Sequence, residues 1–176
     1  LNKAESPYAY TKQIGERIVA DQVRIDPAMK AISLRYVNPA GAHHTGLNGE
    51  DPVNPPSSLV PVITRTASGR MPMMHVHGTD YATRDGSCIR DYVHVSDIAD
   101  AHIAALLRTF EGGMPGQHEI INLGTGTGVS VLEAIAAFEA VSGVALNYRL
   151  GPRRPGDVGA IWSDTTRSRT LLGWEA

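Results

Sequence analysis

The strongest constraint on this chain is a regular alternation of two kinds of segment. Short apolar runs over 31–36, 73–77, 89–95, 119–123 and 145–150 read as buried strands. Between them lie stretches of helical periodicity over 8–25, 59–68, 97–108, 131–142 and 165–172. Strands that alternate with helices predict an α/β fold. Local signals sharpen the helix ends. Pro7 sits where a first turn tolerates a missing N–H, and Gly69 suits a helix C-terminus. Ser130 and Glu133 have capping-box spacing, and Asp164 suits the N-cap of the last helix. Residues 37–58, rich in proline, glycine and asparagine, predict a long loop, and long ordered loops usually serve function. No internal repeat interrupts the pattern.

At 176 residues the chain is one domain or one lobe of a larger protein. It opens Leu1-Asn2-Lys3, without Met or a hydrophobic strand, and stops directly after a helical pattern. Both ends read as cut, so a piece of a longer protein is expected. Sixteen basic against eighteen acidic residues give a net charge of −2, with no basic run. That argues against nucleic acid or a polybasic membrane anchor as partner. The single cysteine, Cys88, excludes an internal disulfide framework and a multi-cysteine zinc site. No apolar stretch approaches the roughly 18 residues of a membrane span. Without a signal peptide, the expected compartment is the cytoplasm.

Several residue groups can carry chemistry. Tyr8 and Lys12 stand four apart on the first helix, on one face. A tyrosine with its ordinary pKa of about 10 is a poor base at neutral pH; lowering it by three units takes about 4 kcal/mol from a neighbouring ammonium. The pair therefore reads either as a proton acceptor with its activator or as an ordinary exposed helix pair. Arg90 and the Arg153-Arg154-Pro155-Gly156-Asp157 run offer guanidinium forks suited to diphosphate oxygens, or else ion pairs. Asn38 follows a strand directly, where open α/β sheets bind ligands. Gly124-Thr125-Gly126-Thr127-Gly128 resembles a dinucleotide loop in position. Its spacing is G-x-G-x-G and no acidic residue follows some twenty residues on, so it reads as a structural turn. His75 and His77 share one strand face without a cysteine or carboxylate cluster, and no metal site is expected.

Taken in order, the motifs resemble the UDP-glucose 4-epimerases of the extended short-chain dehydrogenase/reductase group. The resemblance rests on Ser6-Pro7-Tyr8 with Lys12, on Leu34-Arg35-Tyr36-Val37-Asn38-Pro39-Ala40-Gly41-Ala42-His43, and on Gly49-Glu50-Asp51-Pro52. It continues through Gly78-Thr79-Asp80-Tyr81, Arg90-Asp91-Tyr92-Val93-His94-Val95, Asn122-Leu123-Gly124, Arg154-Pro155-Gly156-Asp157 and Leu172-Gly173-Trp174. It covers nearly the whole chain.

The resemblance implies the C-terminal part of an extended Rossmann-type fold with a smaller α/β substrate domain. Residues 1–36 would end the NAD-binding domain. Residues 37–176 would be mainly the UDP-sugar domain, with 89–108 returning to the Rossmann domain. The N-terminal half, with its glycine-rich NAD loop and catalytic Ser/Thr, would be missing, so this piece alone would hold no NAD and not turn over. The implied enzyme is an isomerase of galactose metabolism, dimeric when complete. It interconverts UDP-galactose and UDP-glucose through a 4-keto sugar, using tightly held NAD.

Tyr8 would be the base, and Lys12 its activator and a ligand of the nicotinamide ribose. Tyr36 and Val37 would meet the cofactor. Asn38, Arg90 and Arg154 would hold the diphosphate. Leu59, His75, Val76 and His77 would flank the uridine, and Asp157 its ribose. Ser58 stands where the family often has asparagine. Ile161 stands where some relatives have tyrosine, which would leave room for an N-acetyl group. Two alternatives remain open at this stage: another nucleotide-sugar enzyme, such as a UDP-pentose epimerase or a dehydratase, and a non-catalytic nucleotide-sugar binding module.

Overall fold

The computed structural model describes Ala4 and residues 6–176; the opening Leu1-Asn2-Lys3 lies outside the described residues. Helix α1 (Pro7–Ile25) starts as the sequence predicts. Pro7 occupies the first turn, and the Ser6 hydroxyl accepts from the Ala9 N–H at 3.1 Å. It leads into β1 (Ala31–Tyr36), which pairs in parallel with β6 (His118–Leu123). Helix α3 (Val95–Phe110) and α5 (Thr166–Leu172) pack against this pair. Val93, Ile98, Ala101, Ile121, Leu123 and Trp174 form the core between them, with Ile32 and Leu34 against it. The buried stripe of α3 is Ile98, Ala101 and Ala105, at helical spacing; Leu106, which shares their side in the sequence pattern, is exposed.

A second core lies on the other half of the chain. Strand β3 (Met74–His77) pairs in parallel with β8 (Tyr148–Gly151). Ile63 of α2 (Leu59–Ala67), Met74, Val76, Ile135 of α4 (Val131–Ser142) and Leu146 close around one another. The predicted capping box of α4 is formed in full. Ser130 Oγ accepts from the Glu133 N–H at 3.1 Å, and the Glu133 carboxylate accepts from the Ser130 N–H at 2.8 Å.

Four expectations shift. The segment 37–58 is not wholly loop: β2 (Asn38–Ala40) pairs in parallel with β5 (Tyr92–His94). The run 89–95 is not one strand. It is β4 (Ile89–Arg90), paired antiparallel with β7 (Val129–Ser130), then β5, with Asp91 between them. The last sheet strand starts at Tyr148 rather than 145. The Leu146 N–H donates instead to the Glu139 carboxylate at 2.7 Å, tying this stretch to α4. At α5 the cap is Thr165, and Asp164 one residue earlier accepts from the Thr166 N–H at 3.0 Å. Among the described residues no helix is long and apolar enough to cross a membrane.

An ion pair locks the first core. Arg108 of α3 donates to both oxygens of Glu119 on β6, at 2.8 and 3.0 Å, and to the Leu171 carbonyl of α5 at 3.1 Å. The Arg108 hydrogen bonds hold the Glu119 carboxyl below its usual value against the opposing cost of burial. Removing one partner leaves a buried charge uncompensated. Arg108→Met therefore destabilises the protein by about 3 kcal/mol in urea unfolding, and adding Glu119→Leu recovers most of the loss.

Glu133 behaves similarly at the surface. Its hydrogen bond from Arg84, then that from the Ser130 backbone, depress its carboxyl to about 2. A depressed carboxyl adds stability above its ordinary value and loses it on acidification. The wild-type protein thus loses stability between about pH 5 and pH 2, and Glu133→Gln shows a shallower loss over that range in thermal unfolding.

Candidate active site

The site is built around an inward-pointing carboxylate. Asp91 is completely buried. Its oxygens accept from the Thr125 N–H at 3.0 Å, the Thr125 hydroxyl at 2.7 Å, the Gly126 N–H at 3.3 Å and the Ser163 N–H at 3.1 Å. The glycine-rich turn is therefore wrapped around a protein carboxylate, and two of its N–H groups are already committed to it. A Cβ on Gly124 would stand 2.4 Å from an Asp91 oxygen, which explains the glycine there. A donor set that already holds an anion does not fit a dinucleotide phosphate, in keeping with the G-x-G-x-G reading.

Burial alternates through the break between β4 and β5: Ile89, Asp91 and Val93 are buried, whereas Arg90 and Tyr92 are half-buried. Both line a cleft of about 430 Å³. The Asp91 carbonyl accepts from the Asn38 N–H at 3.1 Å, bringing the start of β2 to the same cleft. Ser58 and Leu59 enter at the start of α2, where Ser58 makes no side-chain cap hydrogen bond. His75 and His77 come from the exposed face of β3, and Arg154 and Asp157 from the loop after β8.

At the charged end, the Arg90 guanidinium donates to the Val158 carbonyl at 2.8 Å and lies 3.6 Å from the Asp157 carboxylate. Arg154 reaches the same carboxylate at 3.2 Å. Two guanidiniums thus face one carboxylate. Arg153 turns the other way, 4.2 Å over the Tyr81 ring and 2.8 Å from the Asp80 carboxylate, so of the two adjacent arginines only Arg154 lines the cleft. Leu59, Val62, Met71 and Met73 add apolar side chains to the same wall.

Val76 belongs elsewhere. It is completely buried among Met74, Ile63 and Ile135, so its side chain cannot flank a ligand; on β3 only the histidines face out. Ile161 is half-exposed and is not part of the cleft wall. Tyr8, Lys12, Tyr36 and Val37 also lie outside the wall. Tyr8 is exposed on α1, with Lys12 Nζ 5.1 Å from its ring centre. The Glu16–Arg35 ion pair fastens α1 to β1, and Arg35 keeps the Glu16 carboxyl below its usual value. Tyr36 ends β1, and Val37 alone separates it from Asn38, so the strand after the Tyr8 helix leads to the cleft.

Among the cleft residues that the sequence reading does not name are Tyr92 and Cys88. Strand alternation two residues on from Arg90 was the signal for Tyr92. Burial pushes its phenol up to about 12, so it stays neutral and can serve a ligand as a hydrogen-bonding group rather than a base. Cys88 is buried yet reaches the wall. Among the described residues no group of three or more His, Cys, Asp or Glu converges as a metal site.

The chain is thus a mixed α/β protein with one cleft that carries two arginines and two histidines. Residues 1–124 match the NAD dependent epimerase/dehydratase family, and the chain belongs to that family. It is 48% identical over 174 residues to the bifunctional UDP-glucose 4-epimerase and UDP-xylose 4-epimerase 1 of Pisum sativum, covering 99% of this chain and 49% of that protein. It is 46% identical to the UDP-glucose 4-epimerase of Neisseria gonorrhoeae, covering 97% of this chain and 49% of the relative. The UDP-glucose 4-epimerase of Stenotrophomonas maltophila, solved with NAD and formylated UDP-arabinopyranose, superimposes with a TM-score of 0.91 at 43% identity. The match covers 99% of this chain and 51% of that one. The enzyme from Bifidobacterium longum, solved with NAD+ and UDP, gives 0.88 at 41% identity, over 97% of this chain and 50% of that one. The chain therefore spans about half the length of these relatives, and over that half it has their Rossmann-type α/β fold.

The geometry makes Asp91 a structural requirement of the cleft. Asp91→Asn replaces an acceptor with an NH2 group that faces N–H donors. It lowers stability by about 2 kcal/mol, read as a lower denaturation midpoint at unchanged m-value.

Proposed function

We propose that this chain is part of an NAD-dependent UDP-hexose 4-epimerase that interconverts UDP-galactose and UDP-glucose through a 4-keto sugar. One observation carries the reading: a single cleft gathers Asn38, Ser58, Leu59, His75, His77, Arg90, Arg154 and Asp157, eight side chains from separate segments. In this reading Arg90, Arg154 and Asn38 hold the diphosphate, and Asp157 turns to the ribose hydroxyls. Tyr92 adds a neutral hydroxyl. These contacts are the same for substrate and product, so they anchor the nucleotide uniformly while the sugar turns.

Tyr8 accepts the proton of the sugar 4-hydroxyl and returns it, and Lys12 holds the charge that makes the phenol a usable base. Tyr36 and Val37, at the carboxyl end of a parallel strand, suit the nicotinamide end of NAD. When bound, NAD supplies the hydride acceptor and donor at C4. The phosphates of NAD need donors other than the glycine-rich turn, whose N–H groups serve Asp91. In the division that goes with this reading, 1–36 ends the cofactor domain and 37–176 is mainly the substrate domain. Segment 89–108 returns to the cofactor side, joined there by β6 and α5 of the first core. A homodimer, a place in galactose metabolism and a cytoplasmic location complete the proposal. The names of the relatives also favour a pentose activity beside the hexose one.

The test uses the intact protein that contains this chain, purified without added cofactor. Co-purified NAD and conversion of UDP-galactose to UDP-glucose are expected, with UDP-xylose assayed alongside. Tyr8→Phe lowers kcat by about 10²–10⁴-fold while UDP affinity stays within twofold. Unchanged turnover in that variant removes Tyr8 from the chemistry. Retained UDP binding with neither NAD nor turnover in the wild type moves the protein to a binding module.

A further inference from the structure

We propose that Tyr81 is a positioning residue: its ring sets the loop that carries Arg154 and Asp157, and with it the affinity of the cleft for a diphosphate. The inference rests on the cleft's holding a nucleotide diphosphate. Tyr81 itself is not part of the cleft wall. It is buried, and among the described residues its hydroxyl meets no hydrogen-bond partner, so the ring is what the fold uses. The Arg153 guanidinium lies over it, 4.2 Å from the ring centre. Gly159 stands beside the ring at Cδ1, where a Cβ would come within 3.3 Å, and Gly78 stands at Cε2, where a Cβ would collide with it. One ring thus meets both ends of a short loop. Between those ends lie Arg154 and Asp157, which line the cleft, and Val158, whose carbonyl accepts from Arg90. The Asp157 N–H donates to the Arg154 carbonyl at 3.2 Å, so the two cleft residues belong to one turn.

The far end of the loop has a second tie, since the Ile89 N–H of β4 donates to the Gly159 carbonyl at 2.8 Å. The ring therefore matters most at Arg153, directly before Arg154. Arg153 also pairs with the Asp80 carboxylate, but both side chains of that pair are exposed, and such pairs contribute little. What remains to fix Arg153 is the Tyr81 ring and the Asp80 carbonyl, which accepts from its guanidinium at 2.6 Å. Tyr81 is in turn held from elsewhere. Its N–H donates to the Gly86 carbonyl at 2.9 Å, and its carbonyl accepts from the Thr83 N–H at 2.8 Å. Asp85 of the same segment accepts from the hydroxyl of Ser130, the cap of α4, and Arg84 pairs with Glu133 on α4. The ring thus stands on α4 and transmits that anchorage to the arginine loop.

Variants of the intact protein, titrated with UDP and with uridine, test this. Tyr81→Phe keeps the ring and loses only an unpartnered hydroxyl, so its UDP affinity stays within about twofold of wild type. Tyr81→Leu binds UDP about tenfold more weakly, the cost of one misplaced charged hydrogen bond, and binds uridine within about twofold of wild type. Its KM for UDP-galactose rises by about the same factor with kcat little changed, because diphosphate contacts are common to ground and transition states. Arg153→Ala truncates a half-exposed side chain, leaves the core intact and gives a loss of the same kind, so it carries the test if Tyr81→Leu does not fold. Arg154→Ala alone also weakens UDP binding, and adding it to either variant costs little more, since residues that act through one another are not additive. Wild-type UDP affinity in folded Tyr81→Leu, or in Arg153→Ala where the former does not fold, overturns the inference and leaves the functional reading standing. Equal losses of UDP and uridine, full additivity with Arg154→Ala, or a Tyr81→Phe as weak as Tyr81→Leu overturn it too. Absence of UDP binding in the wild type fells the functional reading itself, and the inference with it.

Discussion

Everything in the cleft depends on the burial of one carboxylate. Asp91 carries a negative charge into the interior and keeps it there with three backbone N–H groups and a hydroxyl. An isolated buried carboxylate would be prohibitively costly, but one so surrounded is stable and rigid. Its donors come from two distant segments, the turn after β6 and the stretch before α5. The same residue therefore joins the two ends of the domain. Its neighbours on either side, Arg90 and Tyr92, have no choice of direction once Asp91 points inward. Its own carbonyl receives the Asn38 N–H. Three cleft residues are thus set by one buried residue, Arg90 and Tyr92 as its chain neighbours and Asn38 through its main-chain carbonyl.

The charge of the cleft follows from what happens to charges elsewhere. The chain is slightly acidic overall, at −2. Five of its carboxylates are engaged with arginines away from the cleft: Glu16 with Arg35, Asp51 with Arg65, Asp80 with Arg153, Glu119 with Arg108 and Glu133 with Arg84. Within the cleft Arg90 and Arg154 share Asp157 alone. A cationic pocket in an acidic protein needs no excess of basic residues, only this unequal pairing. Net charge speaks to bulk behaviour, while the site is governed by local imbalance.

What was legible in the sequence was what is local. Helix α1 with Pro7, the Ser130–Glu133 box and the strands β1 and β6 follow from spacing and capping chemistry within a few residues. Strands β2 and β7, three and two residues long, exist only through their partners β5 and β4, and no local pattern announces them. The break at Asp91 was hidden for the same reason, since its donors lie more than thirty residues away. Eight of the residues that the motif resemblance assigns to the substrate line one cleft, but motifs carry no side-chain direction. The resemblance took in Val76, which β3 turns into the core, and passed over Tyr92, which alternation turns toward Arg90. Period-two reasoning on both strands would have exchanged the two.

The Tyr8–Lys12 pair shows why geometry at this level sets a condition on catalysis. Lys12 Nζ lies over the face of the Tyr8 ring at 5.1 Å, and the ring is largely in solvent. Two unit charges about 4 Å apart in water interact by only about 1 kcal/mol, whereas a tyrosine serving as base near neutral pH needs about 4 kcal/mol. Bringing the ammonium closer cannot supply the difference while water screens it; excluding water can, because the same charges at an effective dielectric constant of about 20 interact some fourfold more strongly. Ile14 and Ile18 of the same helix are also exposed. In the proposed reading, the chemistry of this pair therefore needs water excluded from the Tyr8 ring, whereas the cleft is formed by residues of this chain alone.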